Sequence, residues 1–272
     1  MNNDSIGIFD SGVGGLTVFN KIQKLLPKEN YIYFGDTKNL PYGSKTKNEL
    51  IFLTRKIFDF FATKNTKAVI MACNTTSATA YDSIKNDYDF EIYPIIQTSA
   101  KYIAKENFNR IAIAATQATI NSHAYASQIN SYNSQIGIFE YACPDWVSIV
   151  ENRTSDTKES FEIIKNDIEK ILDNNIDKII LGCTHYPYLK ETIGKFCDAD
   201  MLIDPAEYFV KHIFEDLKEK NMLNENETAF QQFLVSSEPE RFKKAAKLFC
   251  DLKCPPSLID IDSLPKTHIN ML

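Results

Sequence analysis

No stretch of this 272-residue chain approaches the ~18 consecutive apolar residues that a membrane span requires. The N-terminal Met1-Asn2-Asn3-Asp4-Ser5 has neither a basic region nor an apolar run, so it does not read as a secretory leader, and a cytoplasmic protein is expected. Positive charge is in deficit. With 30 Lys and Arg against 36 Asp and Glu, the net charge of −6 argues against a general nucleic-acid surface and favours small solutes as partners. Low-complexity segments and short-period solenoid repeats are also missing. The six cysteines are expected to be reduced thiols in a cytoplasmic setting. Cys250 and Cys254 stand four apart without a second ligand pair, so they read as structural thiols and no metal site is assigned.

What is present is an ordinary globular composition, 44% hydrophobic and 24% charged, arranged as alternating short apolar runs and amphipathic stretches. Ile6–Phe9, Tyr31–Phe34 and Ala68–Ala72 read as buried strands, with helices over Leu16–Leu26 and Asn48–Thr63 between them. A second series follows: strands at Ile111–Ala114 and Ile136–Phe139, helices over Ser122–Asn130 and Ser160–Leu172, and a further strand ending at Gly182. Beyond it, Met201–Asp204 and Phe230–Ser236 suit strands, and Ala206–Lys220 and Glu240–Phe249 suit helices. Alternation of this kind implies parallel sheets whose ligands bind beyond the carboxyl ends of the strands. The expected architecture is α/β: two similar parallel-sheet domains related by pseudo-symmetry, with the active site in the cleft between them. Residues 1–97 plus 208–272 form the first domain and 98–207 the second, with crossovers near Gln97 and Tyr208.

The duplication carries chemistry. Ala68-Val69-Ile70-Met71-Ala72 runs into Cys73-Asn74-Thr75, and Lys178-Ile179-Ile180-Leu181-Gly182 runs into Cys183-Thr184-His185, and the two stretches can be laid over one another without a gap. One thiol from each half, facing a shared cleft, supplies a proton donor and a proton acceptor on opposite sides of one carbon. A lone cysteine is usually a buried, inert thiol. At a strand end before a polar turn, however, backbone amides are expected to lower the thiol pKa toward neutrality, and the same amides and hydroxyls suit a carboxylate.

Asp10-Ser11-Gly12-Val13-Gly14-Gly15 follows a strand and precedes a helix, with Asp36 at the end of the next strand, and so invites a dinucleotide reading. The third glycine of that fingerprint is replaced by Thr17, and Asp10 would repel a pyrophosphate while attracting an ammonium group. His185, two residues from its cysteine, suits proton exchange; taken alone, a turn histidine is a polar surface residue. The Pro41-Tyr42-Gly43 turn is explained by turn chemistry, with Tyr42 a ligand candidate on equal terms. Glu151, ending an apolar helix, reads locally as a solvated charge.

Taken together, these segments resemble the glutamate racemases of the aspartate/glutamate racemase superfamily, from about Ile6 through Phe249. The resemblance rests on Asp10–Thr17, Phe34–Thr37 with Pro41–Gly43, Ala72–Thr75, Cys143–Glu151 and Gly182–Pro187. It implies that Cys73 and Cys183 are the paired acid and base, that Asp10 assists Cys73, and that Glu151 and His185 assist Cys183. It further implies substrate contacts from Asp10, Ser11, Tyr42, Gly43, Asn74, Thr75, Thr184 and His185, with Thr119 as an addition. The implied reaction is cofactor-independent interconversion of L- and D-glutamate, feeding peptidoglycan synthesis, with glutamate as small-molecule partner. A homodimer is allowed but not required. Lys38-Asn39 and Asp204-Pro205-Ala206 depart from the usual pattern at positions outside the catalytic set. Some relatives carry a long N-terminal extension before the first strand, and an activator site built on such an extension is not expected here. Three other readings compete: an aspartate racemase, an amino-acid-binding protein without turnover, and a cysteine hydrolase using Cys183 and His185 alone.

Overall fold

The structure, a computed structural model, describes residues 4–225 and 228–264. The N-terminal residues 1–3 and the segments 226–227 and 265–272 of the expected first domain lie outside the described residues.

The first series is β1 (Ser5–Asp10), α1 (Leu16–Leu25), β2 (Asn30–Gly35), α2 (Lys47–Ala62), β3 (Thr66–Met71), α3 (Asn74–Thr79), α4 (Tyr81–Ile84), β4 (Glu91–Pro94) and α5 (Ile95–Ile103). The apolar tetrads of the sequence become strands buried from end to end because helices cover both faces of a parallel sheet. On β1, Ile6 and Ile8 share a core with Leu16, Phe19 and Ile22 of α1, whereas Phe9 on the other face packs with Phe58 and Phe61 of α2. Each such side chain contributes about 1.5–3 kcal/mol on burial. The start of α2 is set by a capping box, in which the Glu49 amide donates to Thr46 Oγ1 and the Thr46 amide to Glu49 Oε2.

The second series is β5 (Arg110–Ala115), α6 (Gln117–Ser122), α7 (Ala124–Tyr132), β6 (Gly137–Ala142), α8 (Trp146–Glu151), α9 (Lys158–Leu172), β7 (Lys178–Gly182), α10 (Lys190–Ile193) and β8 (Leu202–Ile203). After α11 (Pro205–Glu219), the chain returns to the first sheet with β9 (Gln231–Val235), α12 (Pro239–Ala246) and β10 (Ser257–Leu258).

Every strand pairing is parallel, in a six-stranded sheet ordered β10-β9-β2-β1-β3-β4 and a four-stranded sheet ordered β6-β5-β7-β8. The inner order β2-β1-β3-β4 is thus repeated as β6-β5-β7-β8. The duplication seen around the two cysteines extends through both sheets. In each sheet the connections after the two adjacent central strands, β1 and β3 or β5 and β7, run to opposite sides, and this divergence opens a crevice at the carboxyl ends. Gln97 lies in α5 and Tyr208 in α11, two helices that pack on each other, with the Tyr102 and Tyr208 rings stacked 6.3 Å apart.

Three local expectations need correction, and one pair of elements went unread. The single helix over Ser122–Asn130 is two helices, because His123 adopts a left-handed conformation (φ 53°) between α6 and α7. The pair β4 and α5 was not read from the sequence, since Pro94 both closes the strand and caps the helix, leaving no intervening turn. The strand expected over Met201–Asp204 shrinks to two residues, Asp204 instead capping α11 through a bond from the Ala206 amide. The last helix stops at Ala246, so Phe249 falls in the turn beyond it.

Candidate active site

A cavity of about 320 Å³ opens where the carboxyl ends of the two sheets meet, and both Cys73 and Cys183 line it. Cys73 follows β3 and Cys183 follows β7, so the thiols come from equivalent places in the two repeats. They are almost fully buried, at 4% and 8% exposure. Ser11, Tyr42, Gly43, Asn74 and Thr75 join them from the first sheet, Thr184 and His185 from the second. Three residues expected at the site stand behind its wall: Asp10, Glu151 and Thr119 do not line the cavity.

The surroundings of the two thiols differ. Cys73 is pushed up to about 12, first by burial and then by the Asp10 charge, against the opposing pull of the Thr76 amide and hydroxyl. The expected lowering toward neutrality therefore does not hold for Cys73. Burial outweighs what a short turn of amides supplies, and this sulfur rests as a thiol. Asp10 is itself wholly buried; burial raises its pKa against the pull of His185, the Gly12 and Gly15 amides and Thr184. Its carboxylate accepts from the Gly12 amide at 3.1 Å and from Thr184 Oγ1 at 3.4 Å.

Cys183 Sγ lies 3.8 Å from His185 Nδ1, and His185 Nε2 lies 3.2 Å from Glu151 Oε1. Burial opposes charge on this imidazole, but Cys183 and Glu151 prevail and push His185 up to about 10. Glu151 moves the other way: burial acts to raise it, and His185, with a smaller pull from Arg241, holds it below the ordinary carboxylate range. The locally expected solvated charge is instead half of an ion pair. The Phe249 ring lies edge-on to His185 at 6.3 Å.

Laying the repeats over one another explains the asymmetry. Asn74 and Thr75 correspond to Thr184 and His185, so only the second cysteine has an imidazole two residues on. The end of β1 is Asp10 and the end of β5 is Ala115, so only the first sheet supplies a carboxylate at that point. One thiol sits beside a buried acid and the other beside an imidazolium. Such a pair can take a proton from one face of a carbon and return one to the other.

One side of the cavity is polar. Thr75, Thr116 and Thr119 join their hydroxyls in a buried ring, with Thr75 to Thr116 and Thr116 to Thr119 both at 3.0 Å and Thr119 to Thr75 at 3.4 Å. Tyr42 lines the cavity, but its hydroxyl donates to Asp36 Oδ2 at 2.5 Å, so its ring and backbone face the space. Asp36, the acid at the position a ribose would use in the dinucleotide reading, also accepts from Ser236 and Asn39. It braces the Pro41–Gly43 turn. Thr116, Gln117 and Asn121 line the cavity and were not read from the sequence. For Thr116 the signal was available, since overlaying β5 on β1 sets it opposite Ser11.

The family model described as Asp/Glu/Hydantoin racemase matches residues 6–213. Glutamate racemase 2 of Caldanaerobacter subterraneus subsp. tengcongensis is 37% identical over 252 residues, covering 91% of this chain and 94% of that protein. The crystal structure of glutamate racemase from Francisella tularensis in complex with D-glutamate superposes with a TM-score of 0.90 at 33% identity, covering 97% of this chain and 100% of that one. The RacE1 isoform from Bacillus anthracis gives a TM-score of 0.90 at 28% identity, covering 96% and 98%.

Proposed function

The chain belongs to the Asp/Glu/Hydantoin racemase family, and from that premise we propose that it interconverts L- and D-glutamate with two cysteines and no cofactor. In one direction the sulfur beside His185, as thiolate, removes the α-proton while the Cys73 thiol protonates the opposite face. The sulfurs exchange roles in the other direction. Electrons balance within the substrate: the C–H pair becomes the carbanion pair and then the new C–H bond. Ser11, Asn74, Thr75 and Thr184 hold the carboxylates, and Asp10 and the His185–Glu151 pair set the charge next to each thiol. The α-hydrogen is barely acidic, so fixed dipoles in a closed site must stabilise the carbanion-like state, to which each positioned acid or base adds about 10²- to 10⁴-fold. Domains at residues 1–97 plus 208–272 and at 98–207, closing on one another, would exclude water from it. D-Glutamate made this way would serve cell-wall peptidoglycan in the cytoplasm.

The observation that carries this reading is the placement of one thiol from each repeat on a single cavity of about 320 Å³. The decisive experiment follows L-glutamate by circular dichroism in heavy water without added cofactor, with aspartate as the comparison. Decay of the signal with deuterium entering the α-carbon is expected, and its loss in both Cys73→Ala and Cys183→Ala. A protein that binds glutamate without exchange, prefers aspartate, or keeps its activity in Cys73→Ala sinks the proposal.

A further inference from the structure

Asn74, beside Cys73, is 3% exposed and lines the cavity. Its Oδ1 accepts a hydrogen bond from the Tyr125 hydroxyl at 2.7 Å, while its Nδ2 is buried without a hydrogen-bond partner. Tyr125 belongs to α7 in the second series, and it is 1% exposed. The left-handed turn at His123 separates α7 from α6, so α7 starts afresh and carries Tyr125 inward in its first turn. The ring of the same tyrosine sits against Gly182, where a Cβ would come within 3.2 Å of Tyr125 Cε2. A single side chain thus touches the residue after one cysteine and the residue before the other.

We propose that Tyr125 is a positioning residue that ties the two cysteine turns together and locks the Asn74 amide with its NH₂ group directed to the substrate carboxylate. An amide has an acceptor end and a donor end, and an anion is recognised only by the donor end. The Tyr125 hydroxyl, donating to Oδ1, selects that orientation before substrate arrives. A free amide would flip, and part of the binding energy would go into turning it back. This inference rests on the racemase reading above.

The test is a double-mutant cycle on glutamate turnover in the full chain with Tyr125→Phe, Asn74→Ala and the pair. Tyr125→Phe keeps the ring against Gly182 and removes only the hydroxyl. It is expected to raise KM for both enantiomers about tenfold, the effect of one misaligned donor to a charged group, with a smaller change in kcat. In the Asn74→Ala background the same substitution is expected to change KM less than about twofold. An unchanged KM in Tyr125→Phe, or an equal rise in both backgrounds, overturns the inference. Wild-type turnover tests the racemase reading separately. Should the wild type prove inactive, nitrogen-edited NMR of the Asn74 side-chain NH₂, assigned by its absence from Asn74→Ala, decides the matter. A shift of that signal in Tyr125→Phe supports the lock, and an unmoved signal overturns it.

Discussion

Glu151, the last residue of α8, and His185, in the turn after β7, meet at 3.2 Å although they are 34 residues apart, and the far nitrogen of the same imidazole faces Cys183 at 3.8 Å. The carboxylate thus fixes the ring and its charge from behind, while the sulfur lies on the cavity side. Removing the charge but not the shape, Glu151→Gln is expected to lower kcat about 10²- to 10⁴-fold with little change in KM. The substrates of the proposed reaction are mirror images, so their equilibrium constant is one and kcat/KM must fall equally in both directions. Initial rates from pure L- and pure D-glutamate check this, and an unchanged kcat would remove Glu151 from the proton machinery.

The same pair sets a pH dependence of stability. His185 is raised from 6.5 to about 10 on folding, so its contribution is complete below pH 6.5 and is lost as the pH rises toward 10. Glu151 is depressed below 4.5, so its contribution is present above that value and is lost as the pH falls through its folded pKa. The stability advantage of the wild type over Glu151→Gln should therefore be greatest between about pH 4.5 and 6.5 and shrink toward pH 10. Urea unfolding of both proteins across this range measures it. An advantage that grows above pH 8 would contradict the assigned protonation of His185.

Gly14 tests the packing behind the site. A Cβ there would lie 2.5 Å from His185 Nδ1 and from Thr184 Oγ1, with no room to accept it. Gly14→Ala is expected to destabilise the fold by about 1–3 kcal/mol and to displace the imidazole from Cys183, so that kcat falls at least tenfold. A thermal melt together with turnover measures both effects. Loss of stability with full activity would show that His185 need not be held in this position.

Away from the cleft, Lys67 and Glu29 form an ion pair at 2.7 Å with both side chains about 98% buried or more, at 2% and 1% exposure. Lys67 also donates to Asn224 Oδ1 and to the Met222 carbonyl, and Glu29 accepts from the Asn224 amide at 2.7 Å. Lys67→Met leaves the carboxylate without its partner, and a loss of about 3–5 kcal/mol is expected, partly recovered by adding Glu29→Gln. Denaturant titrations of the single and double variants decide it, and a neutral single variant would mean that the pair contributes nothing net.

Much of the fold was legible in the sequence because its strands are short apolar runs bounded by turns, and burial on both faces leaves little else such runs can form. The helix read over Ser160–Leu172 from its periodicity is observed over Lys158–Leu172. What escaped were elements whose boundaries carry no turn signal, such as Pro94 between β4 and α5, and the αL break at His123, a backbone state that no side-chain period encodes. At the site, Cys73 and Cys183 declared themselves through duplication. Thr116 was missed although it overlays Ser11, and its hydroxyl contact with Thr75 exists only once α3 packs on α6.

The order of residues along the chain was enough to define two copies of one α/β unit and to set a thiol at the same point in each. The difference between those thiols belongs to the folded molecule alone. Burial next to Asp10 raises Cys73, and a glutamate brought from α8 holds a proton on the imidazole beside Cys183. Charge interactions and desolvation depend on distance through space and on exclusion of water, and neither quantity exists until the two sheets have come together.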